Sequence, residues 1–162
     1  STGTELAIYD RTGEGRVAIV DLAEPDIKLD QYQGTSGIYA GRDRFGRVKD
    51  QYWDGYGSTS DADRIRYTHD YLGTRTSRDI DIAIYPTDDK DSVYIYDGLR
   101  RLKNSQTGTL SSGSISGTPS SEQSWTLDGL GNWGNYIKKT SGTTDLDQTR
   151  TVNASNEISN IT

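Results

Sequence analysis

The chain has 162 residues, among them 18 basic and 24 acidic side chains, one histidine, and neither Cys nor Met. This composition excludes disulfides, thiolate metal sites and metal sites with two histidine ligands, and the net charge of -6 disfavours nonspecific binding to nucleic acid. Because of this charge we expect no nucleic-acid partner. No apolar run approaches the roughly 20 residues of a membrane-spanning helix, so we expect no membrane insertion either.

A short turn signature recurs six times in chain order, an Asp or Asn followed three residues later by Gly, Asn or Arg. Its first and last residues are Asp10 and Gly13, Asp43 and Gly46, Asp70 and Gly73, Asp97 and Arg100, Asp128 and Gly131, and Asn153 and Asn156. Successive anchors are 33, 27, 27, 31 and 25 residues apart, which is typical of a repeat protein. A stacked repeat usually supplies a surface or a wall, so we expect no enzyme.

The segment from Asp91 to Lys103 shows the physics of one unit. Val93 to Tyr96 are β-branched and aromatic residues that suit a strand, and Asp97 can accept hydrogen bonds from backbone N–H groups just beyond it. Glycine suits the last position because a left-handed backbone is costly for a residue with a Cβ. Arg100 stands there instead, so this unit either accepts that strain or has a different loop length.

Strand patterns flank the other turns, which predicts a β-hairpin for each unit. Aromatic residues precede the turns at Tyr9, Tyr67, Tyr94, Tyr96 and Trp125, and apolar residues follow them at Val17, Val48, Leu102, Trp133 and Ile158. Ile80, Ile82 and Ile84 share one face of an alternating segment, and residues 64–69 alternate as well. No window shows a helical apolar rhythm, so we predict an all-β chain.

We interpret residues 1–162 as a single β-repeat region with one interruption. The segment from Ser105 to Ser124 is rich in Ser, Gly and Thr, which predicts a long surface loop or an irregular hairpin between the fourth and fifth units. Its hydroxyl groups are also candidate O-glycan acceptors. Asn153 and Asn160 fit the pattern of N-glycosylation acceptors.

Several of these units resemble the YD-repeat, or rearrangement-hotspot (Rhs), family, whose pattern is close to Tyr-Asp-x-x-Gly-Arg-Leu. The resemblance rests on residues 43–48, 67–76, 94–102 and 150–158, and residues 125–133 are similar with Trp in the Tyr position. It implies a long antiparallel sheet that coils into a solenoid-like or shell-like structure, as in bacterial toxin shells and related surface proteins. The Asp-Pro self-cleavage segment of many such shells is absent, since the three prolines follow Glu24, Tyr85 and Thr118.

These features predict a structural protein, part of an extracellular or cell-surface wall, stalk or filament. Hydrophobic residues make up only 31% of the chain and the aromatic residues are mostly Tyr, so a thick core is not expected. A repeat sheet exposes unpaired backbone groups at its first and last strands, and no cap is evident near residues 7–10 or 157–161. The predicted partners are therefore further copies of the chain or flanking repeats of a longer polypeptide.

Two other functions remain open. In a carbohydrate-binding module, exposed aromatic residues would stack on sugar rings, with glycans as partners; the candidates are Tyr52, Trp53, Tyr56, Trp125 and Trp133. Packing between layers is the alternative role for these side chains. A glycosidase would need two acids about 5–10 Å apart in a cleft, which sequence does not show.

The remaining motifs favour structural explanations, so we expect no catalytic residue, cofactor or metal. Residues 129–134 read Gly-x-Gly-x-x-Gly, but the segment that follows is too short and too β-like to supply the helix of a dinucleotide site. Asp88, Asp89 and Asp91, or Asp61 with Asp63, lack the ligand spacing of a calcium loop. The position of His69 is often Tyr in the YD-repeat family that the units resemble. We therefore interpret His69 as a structural side chain beside a turn rather than as a general base.

Overall fold

The computed structural model describes residues 6–31, 41–56, 61–80 and 90–162. These residues form fourteen strands and no helix. The chain divides into two compact units, Ser1–Thr68 with Ile80–Asp88 and His69–Asp79 with Asp89–Thr162. Each division falls at the last residue of a strand, His69 in one case and Ile80 in the other. Both units are built from the same kind of antiparallel hairpin.

The first unit contains five strands that pair in chain order. They are β1 (Ile8–Arg11), β2 (Val17–Leu22), β3 (Ile27–Asp30), β4 (Asp50–Gly55) and β5 (Asp63–His69). All pairings described between them are antiparallel. A bridge between Arg42 and Val48 closes a short reversal over residues 42–48, just before β4.

The second unit contains the remaining strands, again antiparallel. They are β6 (Arg75–Ile80), β7 (Asp91–Tyr96), β8 (Leu102–Gly108), β9 (Leu110–Ser111), β10 (Ser114–Ile115), β11 (Ser121–Leu127), β12 (Trp133–Thr140), β13 (Thr143–Val152) and β14 (Ile158–Ile161). The order is β6, β7, β8, β11, β12, β13, β14, and β9 with β10 forms a separate two-stranded hairpin. The prediction of an all-β chain of antiparallel hairpins is therefore confirmed.

Of the two alternatives for Ser105 to Ser124, a long loop is wrong over much of the segment, and an irregular hairpin is what the structure has. β8 continues to Gly108, β11 begins at Ser121, and only the β9–β10 hairpin between them is an excursion. Thr107 lies opposite Ser121, and Ser105 lies opposite Gln123. Polar strands are tolerated here because the strands do not enclose an apolar core.

That core is indeed very small. Ala18 is the one buried hydrophobic residue among the described residues, and no large side chain there is fully buried. Polar groups with little exposure include Asp50, Ser77 and Ser92. The strands are consequently stabilised mainly by ladder hydrogen bonds and cross-strand side-chain pairs.

The alternation over Ile80, Ile82 and Ile84 is tested only at its start, where Ile80 ends β6. Residues 81–89, including Asp88 and Asp89, lie outside the described residues. The strand predicted over residues 64–69 is confirmed by β5, although burial does not alternate along it.

Candidate functional site

The recurring turn is the main candidate for a functional feature, and its geometry is clearest at Asp97. The Asp97 N–H donates to Arg101 O at 2.9 Å, and the Arg100 N–H donates to Asp97 O at 2.9 Å. The carboxylate Oδ1 accepts from the N–H groups of Leu99 and Arg101, both at 2.9 Å. One side chain thus satisfies two backbone donors that the reversal leaves free.

The same geometry closes four further predicted turns. In each, the N–H of the anchor donates to the carbonyl four residues later, and the N–H of the third residue after it donates back to the anchor carbonyl. Those turns are anchored at Asp43, Asp70, Asp128 and Asn153. In the hairpins at Asp97, Asp128 and Asn153 the strand register shifts by one residue beside the turn, as expected for a type I turn with a bulge.

The first predicted turn is wrong by two residues, because its anchor is Thr12 rather than Asp10. The Thr12 N–H donates to Arg16 O at 2.8 Å, and the Gly15 N–H donates to Thr12 O at 2.8 Å. Gly15, with φ 80°, takes the left-handed position instead of Gly13, while Asp10 lies in β1 opposite Ile19. An anchor at Asp10 would set Tyr9 opposite Gly15, whereas the observed register sets Tyr9 opposite Val20.

The left-handed position follows the sequence signature in the other five turns. Gly46, Gly73 and Gly131 have φ of 77°, 90° and 96°, and Arg100 and Asn156 have φ of 64° and 63°. The alternatives left open for Arg100 are thereby resolved, since it accepts the left-handed backbone and the loop length is unchanged.

Hydrogen bonds in the turns hold the pKa of four anchor carboxyls below its usual value. The Arg101 N–H is the largest cause at Asp97, and the Asn132 side chain is the largest cause at Asp128. At Asp43 and Asp70 desolvation is the largest contribution and raises the pKa, but the backbone N–H groups and a nearby arginine outweigh it. All four anchors therefore accept hydrogen bonds as carboxylates at neutral pH.

Neighbouring turns in the second unit are joined by side chains. Arg100 donates to Leu72 O at 3.0 Å and to the Thr74 hydroxyl, and Arg101 Nη1 donates to Asp128 O at 2.7 Å. One turn further on, Asn132 Nδ2 donates to Asn156 Oδ1 at 2.5 Å. We call these contacts the turn ladder.

The first unit has an equivalent link. Arg16 Nη1 donates to Gly46 O at 3.1 Å, which joins the Thr12 turn to the Asp43 turn. A Cβ on Gly46 would come within 1.7 Å of the same nitrogen, so a side chain there would displace the flexible Arg16 guanidinium from this bond. Sequence reasoning missed the turn ladder because its donors and acceptors are about one repeat apart in the chain.

The aromatic candidates of the first unit have defined structural contacts. The Arg64 guanidinium lies 4.7 Å from the ring centre of Tyr52, and Tyr56 donates to Asp21 Oδ1 at 2.6 Å. Burial, with a hydrogen bond to Asp61, raises the Tyr52 pKa to about 12, and the bond to Asp21 raises the Tyr56 pKa to about 12. Trp53 is half-buried.

The aromatic candidates of the second unit contact one another. Trp125 stacks on Tyr136 with ring centres 5.4 Å apart, and Trp133 meets Tyr136 edge-on at 5.7 Å. The Arg150 guanidinium lies 3.2 Å from the centre of the Trp133 ring. Beside Trp133 and Arg150 is a cavity of about 280 Å³ that Asp128 and Asn132 also line. Neither tryptophan is fully exposed or fully buried, so their sugar-stacking role stays a prediction.

The two glycosylation candidates differ in their surroundings. Asn153 uses its side chain in the turn, since Oδ1 accepts from Ser155 and Glu157 and Nδ2 donates to Glu157 Oε2 at 2.8 Å. Asn160 is exposed in β14, opposite Thr151. Both residues are exposed, and glycosylation of either stays a prediction.

His69 ends β5 immediately before the Asp70 turn. Within the described ranges, no group of three His, Cys, Asp or Glu residues is arranged to hold a metal ion. No helix that could span a membrane is found among the described residues.

No protein-family model and no curated protein matches this chain. The resemblance to YD repeats consequently remains a hypothesis that rests on the turn units.

Proposed function

We propose that this chain is a structural β-repeat segment of an extracellular or cell-surface wall, stalk or filament that associates end to end with its own copies. The observation that supports this best is the turn ladder, which joins successive hairpins while the described residues bury almost no apolar core. Each hairpin then depends on its nearest neighbours, as in other repeat proteins. Such an array is lengthened by adding further hairpins.

The edge strand β14 offers a route to this association. Thr149 and Thr162 exchange two backbone hydrogen bonds, of 2.7 and 2.9 Å. Because alternate residues of an antiparallel strand point their backbone groups in opposite directions, the N–H and C=O of Ile161 face away from β13. No described residue pairs with that side of β14. The residues Ile158 and Ile161 of this strand are exposed. β1 is likewise an edge strand with every residue exposed.

Proline at position 161 tests the proposal. Ile161→Pro removes an outward N–H and leaves the inward hydrogen bonds to β13 intact, so the chain should fold but assemble weakly. We expect the natural chain to form larger species in sedimentation velocity as concentration rises from about 1 to several hundred μM, and filaments or end-to-end chains in negative-stain electron microscopy.

Ile161→Val is the matched control and should assemble like the natural chain. A natural chain that sediments as a monomer at every concentration would contradict the proposal, and so would equal assembly of the proline variant.

A carbohydrate-binding module is the second candidate, favoured by the cavity beside Trp133. Its polar lining by Asp128 and Asn132 suits sugar hydroxyls, but Arg150 covers one face of the indole and Asp128 Oδ1 already accepts two backbone bonds. Tryptophan fluorescence distinguishes the two functions. Saturable changes on adding soluble glycans, lost in Trp133→Phe, would support sugar binding; a glycan-independent spectrum would oppose it.

A further inference from the structure

The first unit carries a basic surface that the linear sequence hides. Residues 11–16 and 42–47 bring together five arginines, namely Arg11, Arg16, Arg42, Arg44 and Arg47. The acids in the same two segments are Glu14 and Asp43, so positive charge exceeds negative by three in a chain of net charge -6. The segments lie about thirty residues apart in sequence and meet because the Thr12 and Asp43 turns are adjacent.

Two of these arginines converge on one atom. Arg16 Nη1 and Arg42 Nη1 donate to Gly46 O at 3.1 and 3.0 Å, so the two nitrogens lie within about 6 Å of each other. Arg42 Nη2 also contacts Val17 O at 3.4 Å. The backbone carbonyls thus hold two guanidinium groups side by side.

The two guanidinium groups differ in how their charge is balanced. Among the described residues Arg42 contacts carbonyl oxygens and no carboxylate, and its Nε is buried without a hydrogen-bond acceptor. Arg16 Nε lies 3.5 Å from Glu14, whose side chain is 78% exposed. Arg47 differs, because Asp43 Oδ2 accepts from its Nε at 2.5 Å.

A cavity of about 300 Å³ adjoins the pair, lined by Arg16, Arg42 and Gly46, by Thr12 and Gly13 of the Thr12 turn, and by two acids, Glu14 and Asp43. We propose that Arg16 and Arg42 bind one oxyanion group, a sulfate, phosphate or carboxylate, in this cavity. Guanidinium groups present planar pairs of N–H donors that match such oxygens, and an anion between them relieves their mutual repulsion. The negative charge elsewhere on the chain favours a small anion over a long polyanion.

Titration of the isotope-labelled full chain tests this proposal by ¹H–¹⁵N NMR. Sodium sulfate, sodium phosphate and sodium glucuronate are added separately, with NaCl adjusted to keep ionic strength constant. We expect saturable shifts of the Gly46 amide and of the Arg16 and Arg42 Nε–H signals with at least one anion. Saturation by sulfate or phosphate identifies a tetrahedral oxyanion, and saturation by glucuronate identifies a carboxylate.

Variants decide whether the arginine pair is responsible. Arg42→Ala and Arg16→Ala should each weaken binding about tenfold or more, since each removes a charged donor. Arg44→Ala removes the same charge from the same turn, but Arg44 lies over the Phe45 ring, 4.7 Å from its centre, so affinity should change less than about twofold. Arg42→Lys keeps the charge but loses the paired N–H donors of the guanidinium group. It replaces Arg42→Ala in this test if that variant does not fold.

Shifts that rise linearly without saturating for all three anions would overturn the proposal. Equal affinity in Arg16→Ala and the natural chain would overturn it as well.

Discussion

A single backbone position in each turn controls which side chains fit. The third residue after the anchor has a left-handed backbone, where a Cβ is costly. Arg100 occupies it and uses its guanidinium to reach Leu72 O and the Thr74 hydroxyl. The residue that adopts this strained backbone thus also makes a contact in the turn ladder.

The Asp128 turn allows a clean measurement of this strain. Gly131 has φ 96°, and a Cβ there would meet only an ordinary contact, Arg101 Nη1 at 3.7 Å. Gly131→Ala should therefore lower the free energy of unfolding by about 1–2 kcal/mol through backbone strain alone. Urea unfolding followed by circular dichroism measures the change.

Gly129→Ala is the matched control in the same turn. Gly129 has open space around its Cβ position and no positive φ, so the expected change is within about 0.5 kcal/mol. Equal losses in the two variants would argue against a left-handed requirement at position 131.

The anchor carboxyls make stability depend on acid pH. Their pKa is lower in the folded chain than the ordinary value of about 4, so the folded state favours the ionised form. That contribution is complete above about pH 4 and is lost as pH falls through the lowered pKa. We expect the unfolding midpoint to drop steeply below about pH 4, and the drop to be shallower in Asp97→Asn.

The acid prediction has an exposed acid as its control. Glu14→Gln removes one carboxyl charge from the Thr12 turn, whose anchor is a hydroxyl, and so separates the effect of net charge from that of an anchor carboxylate. Identical acid profiles for the natural chain and Asp97→Asn would show that the turn carboxylate at position 97 does not contribute.

At the scale of strands, side-chain pairs replace a core. Asp50, which is 6% exposed, accepts three hydrogen bonds from Arg64, the shortest 2.7 Å from Nη2. The same guanidinium lies over Tyr52, so one cluster joins β4 to β5.

Removing the acid of this cluster should be costly. Asp50→Ala removes the carboxylate that accepts three bonds from Arg64, and we expect a loss of roughly 3 kcal/mol, the lower end for a broken buried pair because the Arg64 side chain is 30% exposed. Asp54→Ala is the control in the same strand, since the one side-chain bond described for Asp54 is a 3.5 Å bond from Tyr52. Denaturant unfolding of both variants measures the difference, and similar losses would count against the pair.

Element boundaries show how far local sequence reasoning extends. The Asp97 hairpin was predictable in detail because its strand residues, anchor and turn length all agree. The Thr12 turn was not, because residues 10–13 and 12–15 both end in glycine and only the pairing of β1 with β2 distinguishes them. The polar parts of β8 and β11, residues 105–108 and 121–124, were missed because a polar strand without a core resembles a loop in composition.

At the scale of the whole molecule, the scarcity of buried apolar surface has a calorimetric consequence. Unfolding typically raises the heat capacity by about 12–15 cal/mol/K per residue, mainly because apolar surface becomes hydrated. With Ala18 the one buried hydrophobic residue in the described part of the chain, we expect a smaller value per residue. Scanning calorimetry at several pH values measures it, and a typical value would indicate apolar burial in solution, within the chain or between copies.

The sequence by itself determined the all-β class, the hairpin unit and five of the six turns, because strand propensity, Asx capping and left-handed glycine act over a few neighbouring residues. Only the tertiary structure decided the register of the first hairpin, the turn ladder and the meeting of Arg16 with Arg42. Those features depend on which distant segments become adjacent, and that is set by strand pairing across the sheet.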